Sequence, residues 1–167
     1  ITKFLFEFLN LGFELAPAAG SDFPYFEQPG AVRSFVKIPF NEQDDLPQPI
    51  HTADWFKQLR QGHTFVSNLP FIEFEVSGQP IGSKLAISDN QMLTIQAKAN
   101  INTDYDKLAE LELVHCGKVI KQITAPETGS ELLSFQHQLS NKTSGWLALR
   151  AKGQDYALAH TGVIYLQ

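Results

Sequence analysis

From Phe71 onward the sequence alternates between apolar and polar side chains, and that period of two constrains what it can build. Ile72, Phe74 and Val76 alternate with Phe71, Glu73 and Glu75. Leu93, Ile95, Ala97 and Ala99 alternate with Thr94, Gln96 and Lys98, and Leu133, Phe135, His137 and Leu139 alternate with polar partners. In a strand such alternation gathers the apolar set on one face, which a second layer must cover. Residues 108–115 and 118–123 read as a hairpin turning at Cys116-Gly117, where glycine supplies a positive φ. Residues 146–151, 156–161 and 163–166 follow as strands. About seven short strands with turn signals between them predict an antiparallel β-sandwich whose start lies near residues 62 to 70.

Composition agrees and removes several partners. With 43% hydrophobic residues and 13 Phe, the 167-residue chain can bury a sizeable core. Its 13 basic and 18 acidic residues give a net charge of -5, the wrong sign for nucleic acid, and no polybasic tract suits an anionic membrane surface. No uncharged apolar run is long enough to span a bilayer. The single cysteine, Cys116, has no internal disulfide partner.

The first sixty residues have a different texture. Ile1, Phe4, Leu5, Phe8 and Leu9 recur at the spacing of an amphipathic helix, with Gly12 placed to stop it. Residues 13–16 read as a short buried strand. Ala16-Pro17-Ala18 imitates a signal-peptide end, but Glu7, Asn10 and Glu14 interrupt the apolar stretch that such a peptide requires. A stripe of large apolar side chains forgoes about 1.5 to 3 kcal/mol per residue if left in water. The expectation is therefore a helix made to cover protein that this chain does not contain, the alternative being a surface supplied by its C-terminal half. Residues 32–38 read as a strand, 41–49 as a polar linker, and 53–61 as a helix capped by Thr52 or Asp54 and stopped by Gly62.

Several ordered blocks carry a resemblance. They are Leu9-Asn10-Leu11-Gly12-Phe13-Glu14-Leu15, Ala19-Gly20-Ser21-Asp22 and Pro29-Gly30-Ala31-Val32-Arg33-Ser34-Phe35-Val36. The run from Trp55 through Gly62-His63-Thr64-Phe65-Val66-Ser67-Asn68-Leu69-Pro70 is similar to "W..L..GRTFVTNGP", and Ala159-His160-Thr161-Gly162-Val163-Ile164-Tyr165-Leu166 to a closing "AHTSPVYV". Together they resemble the end of a PHP-type metallohydrolase of the CehA/McbA family. The resemblance implies a mainly β chain with an α/β N-terminal piece. Residues 1–61 would be the last helices and strands of a truncated PHP β/α barrel, and 62–167 an Ig-like β-sandwich.

The same resemblance implies a function. The parent protein would be a metal-dependent hydrolase of phosphoester, ester or carbamate bonds in a small-molecule substrate. Its divalent metal would be zinc, iron or manganese, with none held by this fragment alone, which would be inactive. Asp22 would be a metal ligand, although Pro24 stands where the wider superfamily often has His; read locally, Asp22 is a turn residue. Arg33 and His160 would contact substrate. The structural alternatives are an ion pair of Arg33 with Asp22 or Glu27, and a core or interface role for His160. The five histidines lie at least twelve residues apart, and neither HExxH nor CxxC occurs. Trp55 and Trp146 read as core residues. Asn141-Lys142-Thr143 fits the glycosylation triplet. An exposed N-terminal helix would offer a dimer contact, and an exported or periplasmic location is favoured. The alternative is a non-catalytic Ig-like binding module for carbohydrate or protein.

Overall fold

The chain is described by a computed structural model covering residues 2–25, 28–38, 51–88, 91–140 and 144–167. The expected linker at 41–49, Glu27 and the triplet at Asn141 lie outside the described residues. Helix α1 (Thr2–Asn10) leads through an irregular arm to strand β1 (Arg33–Val36) and helix α2 (Thr52–Arg60). Then come β2 (Thr64–Ser67), β3 (Phe71–Val76), β4 (Gln79–Pro80), β5 (Lys84–Leu85), β6 (Met92–Asn100) and β7 (Leu108–His115). The chain closes with β8 (Lys118–Thr124), β9 (Leu132–Ser140), β10 (Gly145–Gly153), β11 (Leu158–Thr161) and β12 (Ile164–Leu166).

These strands form two packed sheets. The smaller runs β4-β3-β6-β9. The larger is centred on β10, which pairs with β7 along one edge and with β11 and then β12 along the other. Strand β7 passes on to β8, β12 to β5 in parallel, and β11 to β2 and then β1. Setting aside the two-residue strands and counting β11 and β12 as one interrupted strand, the part from Phe71 places its first, second and fifth strands in one sheet. Its fourth, third, sixth and seventh form the other, an Ig-like sandwich arrangement. The fold is mainly β, as expected.

Period-two patterning accounts for the core. Ile72, Phe74, Val76, Leu93, Ile95, Ala97 and Ala99 point inward from the small sheet and meet Leu111, Leu113, Leu147, Leu149 and Ile164 from the large one. The β7–β8 hairpin turns at Cys116 (φ 47°) and Gly117 (φ 85°), both in the left-handed region that a two-residue turn demands. At the far end, the buried carboxylate of Asp106 accepts hydrogen bonds from the main-chain N–H groups of Lys107, Asp155, Tyr156 and Ala157. That fastens the β10–β11 turn. Burial would raise the pKa of Asp106, but the four donors hold it below the ordinary carboxylate value.

The N-terminal elements belong to the large sheet. Strands β1 and β2 extend it beyond β11, so the expected division between residues 61 and 62 falls between two strands of which one pairs with the other. Strand β2 was hidden in the junction motif. It is only four residues long and is buried by the main chain around it. A Cβ on Gly162 would stand 2.4 Å from the Gly62 carbonyl oxygen, and one on Gly82 would stand 2.7 Å from that of Gln61. Side chains there would push the loop before β2 out of the sheet.

Three expectations need correction. Residues 13–16 form no strand, and Phe13 and Leu15 are exposed. The N-cap of α2 is His51, and it makes no side-chain capping bond, so neither Thr52 nor Asp54 serves. Helix α1 ends as expected, with Gly12 at φ 90° and its N–H on the Leu9 carbonyl, but the stripe divides. Leu9 is buried and Leu5 and Phe6 pack on the sheet, whereas Phe4 is 66% and Phe8 47% exposed.

Two outcomes follow for stability. Asp106→Ala should lower unfolding free energy by about 3 kcal/mol, read from the denaturant midpoint, because it strips a charged acceptor from four donors. Gly162→Ala should lower it by about 2 kcal/mol or more and reduce Tm, because main chain rather than a movable side chain occupies the space.

Candidate functional site

The outward face of the large sheet carries two kinds of chemistry side by side. Along β10, Trp146, Ala148, Arg150 and Lys152 point outward while Leu147, Leu149 and Ala151 point into the core. At the Trp146 end, Val114, Ala148 and Val163 complete an apolar patch on which α1 lies. The Phe6 and Trp146 ring centroids are 5.0 Å apart, and the Trp146 indole N–H donates to the Asn10 side-chain oxygen at 2.9 Å. Trp146 is therefore buried as expected, but beneath the helix rather than between the sheets. Trp55 is only half-buried on α2.

At the other end the face is ionic. Arg150 Nε donates to Glu112 Oε2 at 2.6 Å, and Lys152 Nζ donates to Glu112 Oε1 at 3.0 Å and to Glu110 Oε2 at 2.8 Å. The Glu112 side chain is almost fully buried. Burial pushes its pKa up, but Arg150 and Lys152 outweigh that and hold it below the ordinary value. The hydrogen bond to Glu110 leads the causes that raise Lys152. Sequence reading passed over this network. Its signal was present in Glu110 and Glu112, two carboxylates at alternate positions of an otherwise apolar strand.

His160 sits at the seam. It stands in register with Arg150 on one side and Val66 on the other, and the Phe6 ring covers it at 5.4 Å. It is 6% exposed, and neither ring nitrogen has a hydrogen-bond partner. Burial lowers its pKa to about 4, opposed by the nearby Thr161 main chain, which favours the charged ring, and with a smaller lowering from the Arg150 charge. His115, at the end of β7, also has a buried unpartnered Nε2 and is lowered by burial.

The three residues nominated from sequence do not converge. Asp22 lies in an exposed turn at φ 52°, and the arm before it is tied to the β1 segment by the Val32 N–H on the Ser21 hydroxyl and by the Ala19 main chain with the Ser34 hydroxyl. Arg33 bonds the Gly30 carbonyl through Nε, and no ion pair with Asp22 forms. In register it belongs to the Ser67–Ala159 row, whereas His160 belongs to the Ser34–Val66 row on the opposite face. Among the described residues no three His, Cys, Asp or Glu side chains gather to hold a metal.

A cleft of about 870 Å³ is lined by residues of β1, β2, β3, β6 and β9. Phe35 and Phe65 stack at 4.6 Å along its wall, Phe71 meets both edge-on, and Lys37, His63 and Glu73 add polar groups.

No family model matches the sequence, and no curated protein matches it. Two solved structures align with it. A superoxide reductase (neelaredoxin) from Ignicoccus hospitalis is 16% identical at a TM-score of 0.37, over 60% of this chain and 82% of that one. An engineered protein is 13% identical at 0.34, over 59% and 20%. Neither likeness reaches a level that bears on function. No helix among the described residues is long and apolar enough to cross a membrane.

Glu112→Gln should destabilise by about 3 kcal/mol, since it leaves the neighbouring cations without a full countercharge. Glu73→Gln, on the exposed Lys98–Glu73 pair, should cost less than about 0.5 kcal/mol in the same denaturant titration. Because the folded pKa of Glu112 is depressed, its contribution should persist above the ordinary carboxylate value and fade as pH falls through the lower one.

Proposed function

We propose that this chain is the closing part of a PHP-type metal-dependent hydrolase acting on phosphoester, ester or carbamate bonds, with its sandwich as a non-catalytic brace. The observation that supports this reading is a single ladder. The blocks at 29–36, 55–70 and 159–166, which resemble that family, contribute β1, β2 and β11, and these pair in that order. The segment that resembles the end of a barrel is thus hydrogen-bonded into the sandwich rather than strung from it. Such a ladder would hold a catalytic domain at a fixed angle. No hydrolytic step is assigned to residues of this chain, because its donors do not converge.

A second reading, a carbohydrate- or protein-binding module, draws on the Phe35–Phe65–Phe71 cleft. Of the three, Phe71 is exposed, and an exposed aromatic face can stack on a sugar ring or anchor a peptide.

The two readings differ in a metal assay on the protein expressed from its complete reading frame. The hydrolase reading expects zinc, iron or manganese near one or two ions per chain, with hydrolysis of a nitrophenyl phosphodiester or ester lost on chelation. Asp22→Ala should lower the metal content. Unchanged metal would remove Asp22 from the site, and a metal-free, inactive protein would remove the hydrolase.

A further inference from the structure

We propose that α1 and its arm form an acid-released latch, held over the outward face of the large sheet at neutral pH and freed when His160 takes up a proton from water. This inference does not depend on the hydrolase reading.

The first support is where the helix is anchored. Leu9, Leu5 and Phe6 pack with Val114, Trp146, Ala148 and Val163 in a cluster separate from the core between the sheets. The polar ties of α1 itself run from Asn10 to the Trp146 indole and the Cys116 carbonyl; along the arm they are an exposed Lys84–Glu14 pair, the Ala19 main chain with the Ser34 hydroxyl, and the Val32 N–H on the Ser21 hydroxyl. The latch can therefore leave without opening the main core, which is the condition for local rather than global release.

The second support is what lies beneath it. His160 is buried against Phe6 with neither nitrogen hydrogen-bonded, and the nearby Thr161 main chain, which favours the charged ring, is outweighed by burial. The groups around it do not compensate. On β10 the facing charge is Arg150, of like sign; on β7 Glu112 is already held by Arg150 and Lys152. Strand β2 presents Val66, and the charged residues of α1, Lys3 and Glu7, are exposed. Undocking α1 returns the ring to water, where it charges freely. The sign follows: a pKa lowered from 6.5 to about 4 in the docked state favours docking at neutral pH and loses that preference as pH falls. At pH 5 the docking equilibrium should weaken by about thirtyfold. Release would uncover Trp146 and the apolar patch around it.

The test uses a Trp55→Phe background, leaving Trp146 as the reporter. Emission and hydrogen exchange would be followed from pH 7.5 to 4.5. The expected result is a red shift of Trp146 with accelerated exchange across residues 3–11, while amides of β6 and β7 stay protected. His160→Phe should hold the helix down to pH 4.5, and Phe6→Ala should raise the pH of release. If His160→Phe does not fold, His160→Gln, which carries no titratable ring, should equally abolish the transition. The proposal is overturned if Trp146 stays buried at pH 4.5, if release is the same without His160, or if β6 and β7 lose protection together with the helix.

Discussion

Strand β10 is hydrogen-bonded along both edges and buried on its inward face, and the rest of the molecule is arranged around it. Its inward residues, Leu147, Leu149 and Ala151, are completely covered and join the core between the sheets. Its edges take β7 on one side and β11 and β12 on the other. A strand paired along both edges commits its backbone groups to ladders on each side, which fixes the register of its neighbours. The hydroxyl of Thr161 accepts from the Leu149 N–H at 2.8 Å where the ladder passes from β11 to β12. That bond keeps the interruption from leaving a buried donor unpaired.

The outward face of the same strand sets the chemistry. An apolar end must be covered, and α1 covers it. A charged end must be neutralised, and two carboxylates and two cations neutralise one another there. His160 lies between the two regimes, too buried to hold a charge and without the hydrogen bonds of the network. Burial of a titratable ring under a removable element gives this face a dependence on protons that neither half would have alone.

Much of the sandwich was legible because a half-buried strand writes its own period. β3, β6 and β9 were readable from alternation, and the β7–β8 turn from Gly117. Strand β2 was not, because four residues cannot display a period and its neighbours come from residues about thirty before and ninety after it. Helix α1 was readable, but its buried side was not. A period of 3.6 describes Ile1, Phe4, Leu5, Phe8 and Leu9 as one stripe. The patch around Trp146 instead selects Leu5, Phe6 and Leu9 and leaves Phe4 and Phe8 outside. Of the site, His160 could be singled out from its strand, but not its missing partners, and the Glu112 network was overlooked.

Sequence by itself determined the class of fold, the positions of most strands, the hairpin at Cys116-Gly117 and the stops at Gly12 and Gly62. All of these are local: they depend on side-chain period or on the conformations that a glycine permits. Tertiary structure alone decided that β1 and β2 extend the large sheet, that Asp22, Arg33 and His160 stand apart, and that His160 is enclosed by a helix from the other end of the chain. Pairing partners and burial are properties of distant segments brought together, and no short window of sequence contains both sides of such a contact.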